Sequence, residues 1–187
     1  MTRQVSPFAL LALNTALIGC STSSTPAAQD PVSPPTVKAE PAPVVSAKPS
    51  PYRVQAEALV AAIDSGKSDA EILKLSEELT ATGLAMLPGM IESHPACKDY
   101  LGAIAEAAPT LKDLPIAEIE SGYHADGKLP KMPSADCYHG KDLVVHPATV
   151  SALAKAGLST AEVRQEAKGE IVEVLGHLMA IEPEQKP

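Results

Sequence analysis

Aromatic residues are nearly missing from this chain of 187, which has no Trp, one Phe and four Tyr. A core made without them must come from Leu, Ile, Val, Ala and Met. Such residues suit helix packed on helix, and the shortage of β-branched and aromatic runs argues against a sheet. Basic residues are also short, 15 Lys and Arg against 23 Asp and Glu, for a formal charge of −8. That balance disfavours nucleic acid, whose phosphates need Lys and Arg to displace counterions. It equally disfavours flat docking on anionic lipid. Familiar catalytic and ligand patterns are absent. There is no nucleophile elbow, no H-E-x-x-H, no Gly-rich phosphate loop and no EF-hand pattern. Neither C-x-x-C nor C-x-x-C-H occurs, so thioredoxin-like chemistry and covalent c-type haem lose their usual support. No internal repeat is evident.

What the first residues do contain is an address. Arg3 supplies a short positive head, and Phe8–Ile18 is an apolar run of 11 broken only by Asn14 and Thr15. A segment this short cannot cross about 30 Å of hydrocarbon as a permanent helix, so it reads as an export signal over residues 1–19. It closes on Leu17-Ile18-Gly19-Cys20. That ending resembles the lipobox of bacterial lipoproteins. The resemblance covers residues 1–21 and implies that Cys20 is diacylated and becomes the new N-terminus. It implies a lipid bilayer as a partner, engaged by the acyl chains on Cys20, and a stable hold, since two or more chains bind firmly where one is marginal. Ser21 after the lipidated Cys resembles sorting to the periplasmic face of the outer membrane. Loss of Arg3 with the signal leaves the mature chain one unit more acidic.

Residues 20–50 follow as a tether of Ser, Thr, Pro, Ala and Val, with Pro26, Pro31, Pro34, Pro35, Pro41, Pro43 and Pro49. Such a stretch has no periodic apolar face to offset its ordering entropy. At about 3.1 Å per residue in polyproline II, it reaches on the order of 90 Å. It reads as a spacer; a Pro-rich ligand for a partner groove is the other reading, without a distinct P-x-x-P anchor to favour it.

Residues 51–187 form the folded domain, expected to be all-α: a small bundle of four to five helices with one long irregular loop stapled by a disulfide. Tyr52, Ala56, Leu59, Val60 and Ile63 share a helical face that Gly66 ends. Ser68-Asp69-Ala70-Glu71 has the form of a capping box, and Ile72, Leu75, Leu79, Met86 and Met90 follow as a stripe. Gly83 and Pro88-Gly89 predict a break or kink, and Pro109 a stop after Tyr100, Leu101, Ile104 and Ala105. Residues 109–146, rich in Pro and Gly, read as the irregular loop. A helix is then expected to start at His146-Pro147 and end at Gly157. Ser159-Thr160-Ala161-Glu162 reads as a second capping box ahead of Val163, Ala167, Ile171, Val174, Leu178 and Ile181.

With Cys20 lipidated, Cys97 and Cys137 are the thiols left, and in an oxidising periplasm they most simply pair. Their neighbours allow two other readings: a zinc site with His94 and His139, or a redox-active pair. His94, His124, His139 and His146 lie near these cysteines or in the loop between and after them, among Glu118, Glu120, Tyr123, Asp126, Asp136, Tyr138 and Asp142. Imidazole beside carboxylate is the material of a metal site or a general acid/base pair, and also of any polar loop. His94, His124, His139 and His146 are the candidate ligands for a metal or haem, and Tyr123, Asp126, Tyr138 and Asp142 the candidate binding residues. On the last helix, Glu166, Glu170, Glu173 and His177 fall within about 60° of one another at 100° per residue. They read as a wet acidic edge, and Met86 and Met90 as core rather than soft ligands. The expected function is a non-enzymatic binding or envelope-associated module, with an envelope protein as a possible partner and no cofactor. The alternative is a periplasmic metal or haem binder using the loop histidines.

Overall fold

The computed structural model describes residues 49–182; Cys20, the export signal and the tether up to residue 48 lie outside them. The described chain is helical, with no strand among its residues. Among the described residues six α-helices occur, one more than the upper expectation: α1 (Pro51–Asp64), α2 (Asp69–Ser93), α3 (Lys98–Leu111), the single turn α4 (Ile116–Ile119), α5 (Ala135–Ala156) and α6 (Ala161–Ile181). Among the described residues, no helix is long and apolar enough to cross a membrane.

The starts of these helices follow from local chemistry. Ser50 caps α1 by accepting from the Arg53 amide, with Pro51 at the first helical position. Ser68 and Glu71 form the expected reciprocal capping box on α2. The second expected box is different: Thr160, not Ser159, caps α6, accepting from the Val163 amide. Arg53 reaches Glu182 at 2.6 Å, joining the start of α1 to the end of α6.

Helix α5 is the axis of the bundle. It packs against α2, α3, α4 and α6, while α1 closes over α2 and α6. Leu143, Val150, Leu153 and Ala154 face one apolar cluster, with Tyr52, Leu59, Ile72, Leu79, Ile171 and Val174. Val144, Val145, Ala148 and Ala152 face a second, with Leu87, Leu101, Ile104, Leu111 and Ile119. Buried residues thus run around the whole circumference of α5 from Gly140 to Ala154.

This arrangement corrects the expected loop. Residues 135–146 are helical, and the irregular part contracts to 112–115 and 125–134, separated by α4 and a π-helical turn over Glu120–His124. Pro147 does not begin a helix but lies inside α5. A proline there cannot donate to the carbonyl four residues back, that of Leu143. The Tyr52 hydroxyl donates to that carbonyl instead, at 2.8 Å, so the helix runs through with its freed acceptor satisfied. Gly83 makes room: a Cβ there would overlap the same Leu143 carbonyl. Pro88 likewise lies within α2 and Pro109 within α3, neither ending its helix where expected. Around Pro88, buried Leu87 and half-buried Met90 and Ile91 keep α2 packed past the missing bond.

Cys97 and Cys137 are joined by a disulfide, Cα to Cα 5.3 Å, that ties the start of α3 to the first turn of α5. Both are buried. With both sulfurs in that bond, the zinc reading with His94 and His139 loses its two thiolate ligands.

Candidate metal centre

Once residues 135–156 are a helix, Tyr138, Asp142 and His146 stand at successive i, i+4 positions along α5, with His139 beside them. Across from them, α6 presents Glu170, Glu173 and His177. The π-helical turn brings His124 to the same place. His146 Nδ1 lies 2.7 Å from Glu170 Oε2, and His124 Nε2 lies 3.6 Å from that same oxygen. On the other side of the ring, His146 Nε2 is 3.8 Å from Asp142 Oδ1, and His177 Nε2 is 3.2 Å from Asp142 Oδ2. His139 extends the series, its Nδ1 3.2 Å from His177 Nδ1.

Two triads result: His124, His146 and Glu170, and Asp142, His146 and His177, each with one ligand atom per residue all within 4.8 Å of one another. For a tetrahedral ion with bonds of about 2.1 Å, neighbouring ligand atoms stand about 3.4 Å apart. The distances here bracket that value.

The centre is held by a buried polar scaffold. Lys141, 1 % exposed, donates to the His124 carbonyl at 2.9 Å and to Asp126 Oδ1 at 3.0 Å. Tyr100 donates to the same Asp126 oxygen at 2.7 Å. These bonds fix Asp126 in a left-handed conformation, φ 61°, and anchor the turn that carries His124. Thr149 gives its proton to the Val145 carbonyl, and its oxygen stands 3.0 Å from His124 Nε2, where it holds the ring in place. The ammonium of Lys141 also lies 4.7 Å from the centre of the Tyr138 ring.

Burial governs the charges. It raises the Asp142 carboxyl to about 7, against the opposing pull of Lys141. Glu170 is pushed to about 7 by the same cause. Burial lowers His146 to about 4 and also lowers His124 and His177. At neutral pH the three imidazoles are therefore uncharged and each keeps a lone pair, the form in which imidazole binds metal. Asp142, 1 % exposed, also has an oxygen, Oδ2, without a hydrogen bond of acceptable geometry. A buried carboxylate oxygen left this way is uncommon and calls for a partner.

Of the expected site residues, His124, His139, His146, Asp126, Tyr138 and Asp142 converge here. His94 does not: it ends α2, 3.7 Å from Asp136, and lines an open cavity of about 460 Å³ with Met86, Met90 and His139. Met86 and Met90 are half-buried against the core while also facing that cavity. Tyr123 stands apart, packed with the second apolar cluster beneath the Lys128 ammonium. Glu170 and His177 belong to the centre rather than to an acidic edge. Their spacing was visible, but its match to Asp142 and His146 requires α5 to be a helix through that region. Comparison with family models, with curated proteins and with solved structures gives no match, so the chemistry of this centre is read from its own residues.

Proposed function

We propose that this chain is an envelope-anchored metal-binding module, carrying a divalent transition ion between α5 and α6. The observation behind this is the pair of His/carboxylate triads whose ligand atoms lie within 4.8 Å, meeting at His146. Imidazole with carboxylate suits Zn²⁺, Cu²⁺, Ni²⁺ or Fe²⁺ rather than Mg²⁺ or Ca²⁺, which prefer oxygen alone. A metal ion is favoured over haem because the imidazoles crowd one another: the His124 and His146 ring centroids are 4.9 Å apart, and those of His146 and His177 5.8 Å. That spacing leaves no slot for a macrocycle among them. Lipid anchoring through Cys20 remains part of the proposal, supported by the lipobox-like residues 17–21. The Cys97–Cys137 bond is consistent with an oxidising compartment.

Protein purified from its native envelope without chelator is expected to carry transition metal. Stripped of it, the protein should regain thermal stability on adding Zn²⁺, by about 2.7 kcal/mol at a hundredfold excess over Kd. Joint substitution of His124, His146 and His177 by Gln should abolish both effects. A metal-free native preparation whose melting does not respond to Zn²⁺, Cu²⁺, Ni²⁺ or Fe²⁺ would refute the proposal.

A further inference from the structure

His146 sits between two ligand sets rather than at the edge of one. A histidine that binds a single ion uses one ring nitrogen and gives the other N–H to a carboxylate or carbonyl that orients it. Glu170, 2.7 Å from Nδ1, has the right distance for that orienting role. The Nε2 side does not fit the same description. Asp142 Oδ1 is 3.8 Å away, too far for a hydrogen bond, and the other oxygen of Asp142 is buried without one. Beside it stands a second imidazole, with His177 Nε2 3.2 Å from Asp142 Oδ2. An orienting partner needs only one acceptor, whereas this side assembles a carboxylate and a further nitrogen spaced as ligands are around an ion. The Nδ1 side is no mere orienting contact either. There His124 Nε2 stands 3.6 Å from the Glu170 oxygen and 3.8 Å from Glu120 Oε1, adding a nitrogen and a second carboxylate.

We infer that the centre is dinuclear, two divalent transition ions bridged by the imidazole ring of His146. One ion is held by His124, Glu170 and His146 Nδ1, the other by Asp142, His177 and His146 Nε2. The inference rests on the metal-binding reading above. Its chemistry is a proton exchange: a neutral imidazole offers one lone pair, to the first ion. The second ion binds the other nitrogen as that nitrogen's proton leaves to solvent, so the bridge is an imidazolate. The ring is already confined for this role, stacked on His177 at an interplanar angle of 23° and edge-on to His124 at 75°.

The test is titration of the chelator-stripped full chain, in detergent, with Cu²⁺. Bound copper is counted after gel filtration, and electron paramagnetic resonance is recorded at each step. The expected result is two ions per chain, with the resonance growing over the first equivalent and falling over the second as the bridged spins couple. Glu170→Gln and Asp142→Asn should each keep one ion and a full uncoupled signal, with circular dichroism confirming that both variants fold. His94→Ala, which removes a surface imidazole outside the centre, should leave the count at two. Two ions with additive signals, or a single ion in the unsubstituted chain, overturn the bridge while leaving the metal-binding reading standing. No bound copper at all overturns both.

Discussion

Asp142 is the residue whose surroundings most constrain the metal-free protein. Its carboxyl is raised to about 7 in the fold against about 3.9 in an unfolded chain, so the folded state holds the proton more tightly. Stability is then lost as pH rises from about 4 through 7, because ionisation happens more easily in the unfolded chain. Asp142→Asn has no proton to lose. In chelator, the variant should be more stable than the parent above pH 7 by a few kcal/mol, and the gap should close below pH 4. Denaturant melts across that range measure it; a gap that does not change with pH would refute the assignment. His146 acts in the opposite direction, since its lowered value makes protonation unfavourable in the fold, and stability falls as pH drops from about 6.5 through 4. The residue types were legible in the sequence: His124, His146 and Asp142 stand there as candidate site residues, and Glu170 and His177 as neighbours on the last helix, read as an acidic edge. Their partnerships were not, because Glu170 and His177 are 24 or more positions from Asp142 and His146 and only the packing of two helices brings them together.

At the scale of elements, the amphipathic helices were readable and the buried one was not. The face of α1, the capping box of α2 and the stripe of α6 each follow from apolar periodicity against a polar side. Helix α5 is enclosed around its circumference, so its first half offers no such contrast, and Gly140 and Pro147 look like breakers. Its continuity depends on long-range chemistry, chiefly the Tyr52 hydroxyl on the carbonyl that Pro147 leaves free. Tyr52→Phe deletes that donor and leaves a buried acceptor unsatisfied, which should cost about 1–3 kcal/mol in chemical denaturation. A cost near zero would show that another donor takes its place. The stretch read as one long loop was misassigned for the same reason: its Pro and Gly residues are punctuation only where nothing packs against them.

For the molecule as a whole, one covalent tie and one axial helix hold the parts in register. The disulfide closes a loop with a sequence separation of 40 residues. Replacing both Cys97 and Cys137 with Ser should therefore lower stability by about 3–4 kcal/mol, read from denaturant melts. An unchanged midpoint would show that the helices alone fix the arrangement. The proposed anchoring has its own test. Cys20→Ser should move the protein from the membrane fraction to the soluble envelope fraction and remove acyl labelling, whereas unchanged fractionation would contradict a lipid anchor. The most direct test of the metal centre compares Zn²⁺ uptake by the stripped full chain with uptake by His146→Gln, using equilibrium dialysis. The unsubstituted chain should take up zinc saturably and the variant, which loses the ligand common to both triads, should bind far less; equal uptake by the two, or none by either, would contradict a centre organised around His146.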